Sequence, residues 1–372
     1  MSVFLDSSST TRPFDEVILC IADTMKNYYG NASSSHVFGF ESEQILRRAK
    51  MTVLNFLHSS NGDVFFTSGG TESNNLAIFG SINVRSSNNI VTTMIEHFSV
   101  LNPIKKFESL GARVKYLKPD SNGNISIKNF ENNISEDTSF ISIMHVNNET
   151  GEILPIKEFS NIIGRKCPDA VFHVDAVQSF GKLPISVNEL GIDLLSASSH
   201  KIHGPRGLGI LYVSERTKIN PIFLGGGQQK KIRPGTEPVC LIAGFEKAIE
   251  LCDIKNRLKK IERLNSYCRK KLNEIVGVNI NSSKNASPYI INISVFGIKS
   301  EVLINFLSER GIYVSGSSAC SKNKQSHVLK AMSLPKGFIE SAIRISFSKF
   351  NTLDDIDVLV DNLKEALKIF SR

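Results

Sequence analysis

The chain has 372 residues, 41% of them hydrophobic and 22% charged, with a formal net charge of +8. That length suits one large domain plus a smaller one, and the composition excludes a disordered, collagenous or disulfide-framed chain. No apolar run approaches the roughly 20 residues of a membrane-spanning helix. Met1-Ser2-Val3-Phe4-Leu5-Asp6 also lacks the basic segment and apolar core of a signal peptide, so a cytoplasmic location is expected.

Pro13 opens a helix with Val17, Ile21, Met25 and Tyr28 on one face, stopped at Gly30. A second helix covers about 40 to 57. Short apolar runs at 63–67, 90–94, 113–117, 140–146, 171–174, 193–196 and 209–213 read as seven strands. Helical segments at 99–110 and 156–166 separate several of them. The class is therefore α/β, with a mostly parallel seven-stranded sheet covered on both faces. Beyond Pro238 a long helix-like stretch to about Glu274 links two domains. Then come a strand at 289–295, a helix at 300–310, a strand at 312–315, a polar loop, a strand at 342–347 and a helix at 353–370. The expected division is a large domain at 14–250 and a small α+β domain made of 1–13 and 251–372.

Six cysteines (Cys20, Cys167, Cys240, Cys252, Cys268, Cys320) form no Cys-x-x-Cys pair, which fits a reducing compartment and no zinc ribbon or other metal site. Cys20 and Cys167 fall in helix patterns and read as packing residues. The basic runs around Lys259-Lys260 and Arg269-Lys270-Lys271 read as the polar face of a helix. Charge alone establishes no nucleic-acid role.

Ligands in such folds collect beyond the carboxyl ends of the strands, where the distinctive motifs lie. Ser198-Ser199-His200-Lys201-Ile202-His203-Gly204 puts a lysine on a polar turn between strands, and His173-Val174-Asp175-Ala176-Val177-Gln178 ends a neighbouring strand in a carboxylate. A pyridoxal phosphate (PLP) site needs that pair: a lysine for the Schiff base and a carboxylate to keep the ring nitrogen protonated. Alone, Lys201 reads more readily as a solvated lysine on a surface turn, and the other motifs outweigh that reading. Ser68-Gly69-Gly70-Thr71-Glu72-Ser73 joins a strand to a helix and offers N–H groups and the Thr71 hydroxyl to a phosphate, or is simply a helix start. His97 after one strand suits ring stacking or proton transfer, and Asn148 after another suits orienting a ring substituent. Each also fits a purely structural role. Ser315-Gly316-Ser317-Ser318-Ala319-Cys320-Ser321-Lys322 is a Gly/Ser-rich loop in which small residues permit mobility, and Lys322 and Lys324 favour thiolate at Cys320.

Together with 6–11, Gly30-Asn31-Ala32-Ser33-Ser34-Ser35-His36, Glu96-His97, 144–151, Arg233-Pro234-Gly235-Thr236 and Ile343-Arg344-Ile345-Ser346, these ordered motifs run nearly end to end. The chain resembles the cysteine desulfurases of the NifS/IscS-like group, within the class V aminotransferase family of fold-type I PLP-dependent enzymes. The resemblance implies that Lys201 carries the cofactor, Asp175 pairs with its ring nitrogen, Gln178 bonds the ring hydroxyl and His97 stacks on the ring. Gly70, Thr71, Ser198 and His200 would hold the phosphate, with Thr236 supplied by the other subunit of a homodimer. Arg344 would clamp the carboxylate of L-cysteine, Asn148 would contact cofactor or substrate, and Cys320 would take the sulfur as a persulfide for a sulfur-acceptor protein.

Ala32 stands where the family has a usual proline, Pro238 where asparagine is frequent and Arg12 where a proline is common; none removes a catalytic group. A shorter segment after Cys320 and an end at Arg372, without the tail that docks an iron–sulfur scaffold, point to a dedicated acceptor in tRNA thiolation or DNA phosphorothioation. Direct nucleic-acid binding is expected to be weak and salt-sensitive. The alternatives are another PLP-dependent lyase, such as a selenocysteine lyase, in which Cys320 is dispensable, and a non-catalytic partner-binding protein of the same fold.

Overall fold

The structure is a computed structural model and describes residues 2–82, 89–316 and 325–370. Seven strands form the large sheet, in the order Asp63–Thr67, Gly209–Val213, Leu194–Ser198, Val171–Asp175, Thr138–Met144, Asn89–Thr93 and Arg113–Leu117. Its central strands are buried along nearly their whole length, because helices cover both faces. Ile156–Lys166 illustrates the packing: Ile156, Phe159, Ile162 and Ile163 recur at helical spacing and all are buried.

The sheet departs from a fully parallel plan at Gly209–Val213, which runs antiparallel to both of its neighbours. A parallel return needs a crossover of a dozen or more residues, usually a helix. The connection from Ser198 to Gly209 holds only the short 3₁₀ turn Ser199–Lys201, so the chain doubles back as a hairpin. Lys201 thus sits on the turn just beyond the carboxyl end of Leu194–Ser198.

A second, antiparallel sheet has the order Ser315–Gly316, Ala342–Ser346, Ile290–Val295 and Val278–Ile280. Its core draws Leu264, Cys268, Leu303 and Leu359 together with Val3 and Leu5 from the other end of the chain. The N-terminal segment reaches it through Val3–Phe4, which pairs in parallel with Ile312–Tyr313. Val328, Leu329 and Met332 instead join the core of the large sheet.

Two expectations are corrected here. The long helix beyond Pro238 is two helices, Val239–Glu250 and Ile254–Asn273. Asp253 breaks the run by capping the second helix, its carboxylate accepting from the Asn256 N–H at 3.2 Å, and Arg257 donates to the freed Leu251 carbonyl at 3.1 Å. The expected strand at 312–315 is split between sheets: Ile312–Tyr313 pairs with the N-terminal strand, whereas Ser315–Gly316 pairs with Arg344 and Ile343. An apolar run carries no signature of its partner, so sequence could not separate the two. Among the described residues no helix is long and apolar enough to cross a membrane.

Candidate functional site

Parallel strands ending at Met144, Asp175 and Ser198 deliver their last residues to one cavity of about 320 Å³. The loop after Asp63–Thr67 enters the same space through Gly70 and Thr71. Gly69, at φ +154°, turns the chain into the helix Gly70–Ser81 with no side-chain cap, leaving first-turn N–H groups at the positive end of the helix dipole. Close packing makes the approach possible. A Cβ on Gly209 would stand 2.6 Å from Gly69 Cα, and one on Gly70 would stand 2.6 Å from Val177 Cγ2.

Beside this helix start, Ser198 Oγ is buried without a hydrogen-bond partner. An orphaned hydroxyl facing a helix N-terminus is costly unless an anion completes it. His200, which accepts from or donates to Thr10 Oγ1 at 3.1 Å, closes the same end. Burial first, then Lys201 and Arg206, push its imidazole down to about 4, so it is neutral near pH 7. The donor set fits a phosphate monoester.

Asp175 also lines the cavity and is buried. Its Oδ1 accepts from the Val177 N–H at 3.0 Å and its Oδ2 from Asn74 Nδ2 at 2.8 Å. Asn74 Nδ2 also donates to Ser99 Oγ at 2.8 Å, and Ser99 Oγ lies 2.7 Å from His97 Nδ1. His97 Nδ1 further accepts from the Ser99 N–H at 3.1 Å, so Nδ1 bears no proton and the neutral ring carries its hydrogen on Nε2. Burial lowers the His97 pKa, with Lys201 acting in the same direction and Asp175 opposing. A neutral imidazole is therefore held beside a carboxylate. That pairing suits a protonated aromatic nitrogen on Asp175 with the His97 ring against its face. The cavity residues thus fit PLP at both its phosphate and its ring.

Lys201 Nζ donates to the carbonyls of Ser8 and Ser9, each at 2.7 Å. Those carbonyls belong to the N-terminal segment, which is pinned to the lysine turn where the Thr11 N–H donates to the His200 carbonyl. Arg344 comes from the second sheet. It is buried, donates to the Asn148 carbonyl at 2.8 Å and to Asp6 Oδ1 at 2.9 Å, and keeps its Nε buried without a partner. A planar guanidinium with an unmet donor at a cavity wall suits a carboxylate ligand.

The cavity brings together Gly70, Thr71, His97, Asn148, Asp175, Gln178, Ser198, His200, Lys201 and Arg344, ten of the residues that the sequence singled out. Thr236 is exposed and is not among the lining residues of this chain. Cys320 lies outside the described residues. Sequence reasoning missed Asn74 and Ser99, which tie Asp175 to His97, and gave no role to Ser8 and Ser9. Asn74 directly follows the Ser68–Ser73 run, and Ser8 and Ser9 lie in the 6–11 motif, so nearness to a motif was the available signal.

The family model for aminotransferase class-V matches residues 3–359. Among curated proteins, a cysteine desulfurase IscS of Dictyoglomus turgidum is 38% identical, over 98% of this chain and 94% of its own. Among solved structures, a NifS-like protein superposes with a TM-score of 0.93 at 35% identity, covering 99% of this chain and all of the other. The structure of SspA in complex with cysteine has a TM-score of 0.84 at 32% identity, covering 94% of this chain and all of SspA.

Proposed function

We propose, from the premise that the chain belongs to the aminotransferase class-V family and its NifS/IscS-like cysteine desulfurases, that its cavity converts L-cysteine to L-alanine on PLP. The observation that carries this is the single cavity joining Lys201, Asp175, His97 and Arg344 to an unsatisfied hydroxyl at a helix N-terminus. PLP, when bound, supplies an electron sink that labilises the bonds at the substrate Cα and Cβ. Lys201 holds the cofactor and moves the Cα proton. Asp175 keeps the ring nitrogen protonated, and Gly70, Thr71, Ser198 and His200 hold the phosphate. Arg344 fixes the substrate carboxylate, with Asn148 beside it, and neutral His97 stacks and carries a proton on Nε2.

The Cys320 thiolate attacks the substrate sulfur. The C–S bond breaks as the S–S bond forms, the former Cβ gains a proton, and alanine leaves while Cys320 keeps the sulfur. Cys320→Ala is expected to bind PLP normally and to accept cysteine while transferring no sulfur. Mass spectrometry of the wild-type chain after cysteine treatment should show 32 Da added at Cys320, about one sulfur atom per chain. The added sulfur on another cysteine, with none on Cys320, would overturn the assignment and favour a lyase that dispenses with it.

The exposed apolar side chains Ile18, Leu19, Met25, Tyr29, Phe38 and Phe40 on or beside the first two helices support a homodimer. Exposed Thr236 would then complete the partner's phosphate site. Sedimentation is expected to give a dimer, and a fully active monomer would refute it. We read the two larger sheets as marking two domains, at 14–250 and at 1–13 with 251–372, with Val328, Leu329 and Met332 of the second packing into the core of the first. The five described cysteines are all free, which fits a reducing compartment such as the cytoplasm. The sulfur goes to a protein thiol. The net charge of +8 does not by itself distinguish between acceptors, and strong direct binding to DNA or RNA is not expected.

A further inference from the structure

Lys182 is buried, yet it does not line the cavity. It follows the strand Val171–Asp175 by seven residues, four beyond Gln178. Its Nζ donates to Gln178 Oε1 at 2.9 Å, and Gln178 Nε2 donates to the Ser8 carbonyl at 2.9 Å. That same carbonyl accepts from Lys201 Nζ at 2.7 Å. A hydrogen-bonded path thus runs from Lys182 through Gln178 and Ser8 to the lysine that would hold the cofactor.

The path fixes which way the Gln178 amide points. A backbone carbonyl only accepts, so Nε2 must face Ser8, and Oε1 is left to accept from Lys182 Nζ. One N–H of Nε2 is left over, on a residue that lines the cavity. Among the described residues no other group donates to Oε1, so without Lys182 that side of the amide is unrestrained.

The surroundings of Lys182 also point towards an anion. The charged groups acting on it are Lys201, Arg344 and Arg257, all cationic, while its ammonium lies 5.6 Å from the Tyr289 ring centroid. Burial first, then those three cations, push its pKa down to about 7. Among the described residues no carboxylate forms an ion pair with it. A buried ammonium with no carboxylate partner of its own is stabilised when an anion enters nearby.

We propose that Lys182 is a positioning residue: it locks Gln178 as a hydrogen-bond donor towards an anionic ring oxygen of the bound cofactor and adds positive charge behind it. This rests on the PLP reading above. The side chain acts through Gln178 and does not touch the reacting atoms.

The test is a pH titration of the visible absorption band in the full-length holoenzyme, for wild type, Lys182→Met and Lys182→Gln. Removing a nearby cation and a fixed donor favours the protonated chromophore, so the Lys182→Met midpoint should rise by about one pH unit. PLP binding should weaken by about tenfold in the same variant. Lys182→Gln keeps a donor but loses the charge, and its midpoint should rise by less. A merely structural lysine would lower the melting temperature and leave the titration in place. Either variant, folded by circular dichroism and titrating at the wild-type midpoint, would overturn the proposal. Should Lys182→Met not fold, Lys182→Gln decides alone. A wild type that forms no visible band with PLP would instead sink the cofactor reading itself.

Discussion

Lys201→Ala is expected to lower cysteine turnover by at least about four orders of magnitude, because one substitution removes both the covalent anchor and the proton-transfer group. The fold should survive it. The lysine turn is held by backbone and neighbouring groups: the Thr11 hydroxyl bonds the His200 carbonyl at 2.9 Å, and the His203 N–H bonds Thr11 Oγ1 at 2.8 Å. Neither contact uses the Lys201 side chain. Of the two carbonyls the ammonium leaves, that of Ser8 still accepts from Gln178. The measurement is borohydride reduction of the PLP-loaded protein followed by peptide mapping. Wild type should carry the reduced cofactor on the Lys201 peptide, and the variant should carry none. A covalent adduct retained in Lys201→Ala would mean that another lysine is the anchor.

Asp175→Ala should reduce turnover by two to three orders of magnitude, in line with the roughly 3–5 kcal/mol lost when one partner of a buried charge pair is removed. The loss has two sources. The ring nitrogen would no longer be held protonated, which weakens the electron sink. The Asn74 amide and the Val177 N–H would also lose their acceptor in a buried site, loosening the link through Ser99 to His97. Asp175→Asn is the sharper probe. Its shape is preserved, but an amide nitrogen towards Asn74 sets donor against donor, and one turned the other way opposes the Val177 N–H. Turnover should therefore fall nearly as far as in the alanine variant, with PLP retained less firmly through gel filtration. Wild-type turnover in either variant would show that a different group holds the ring nitrogen.

Much of the large sheet was legible because its strands are short apolar runs separated by helical spacing, and the burial that selects those residues is local to each element. Asp63–Thr67, Arg113–Leu117 and Gly209–Val213 lie where the pattern put them. The direction of Gly209–Val213 did not show, since an apolar strand reads alike in either sense and only the short connection at Lys201 forces the reversal. The break at Asp253 was hidden for a related reason. A cap works against the N–H of its own helix, so its effect appears only once the helix before it has ended.

Ordered motifs named the principal candidates, Lys201, Asp175, His97 and Arg344, because chemically demanding side chains must recur at fixed places along the chain. Residue type and order were enough for that. What they could not give was contact across long sequence separations. Asp175 meets Asn74, Lys201 meets Ser8, and Arg344 meets Asp6 and Asn148 only because two sheets and an N-terminal strap close on one cavity. The protonation states depend on that closure as well. His97 is neutral and hydrogen-bonded at Nδ1, and Lys182 is pushed down towards 7, because folding removes water and assembles charges that are far apart in the chain. The sequence by itself pointed to the family, to the strands of the large sheet and to ten residues that meet at one cavity. Only the tertiary structure decided which of them touch, which way the Gln178 amide faces and which charges they hold, since desolvation and pairing are properties of the packed interior and not of the chain.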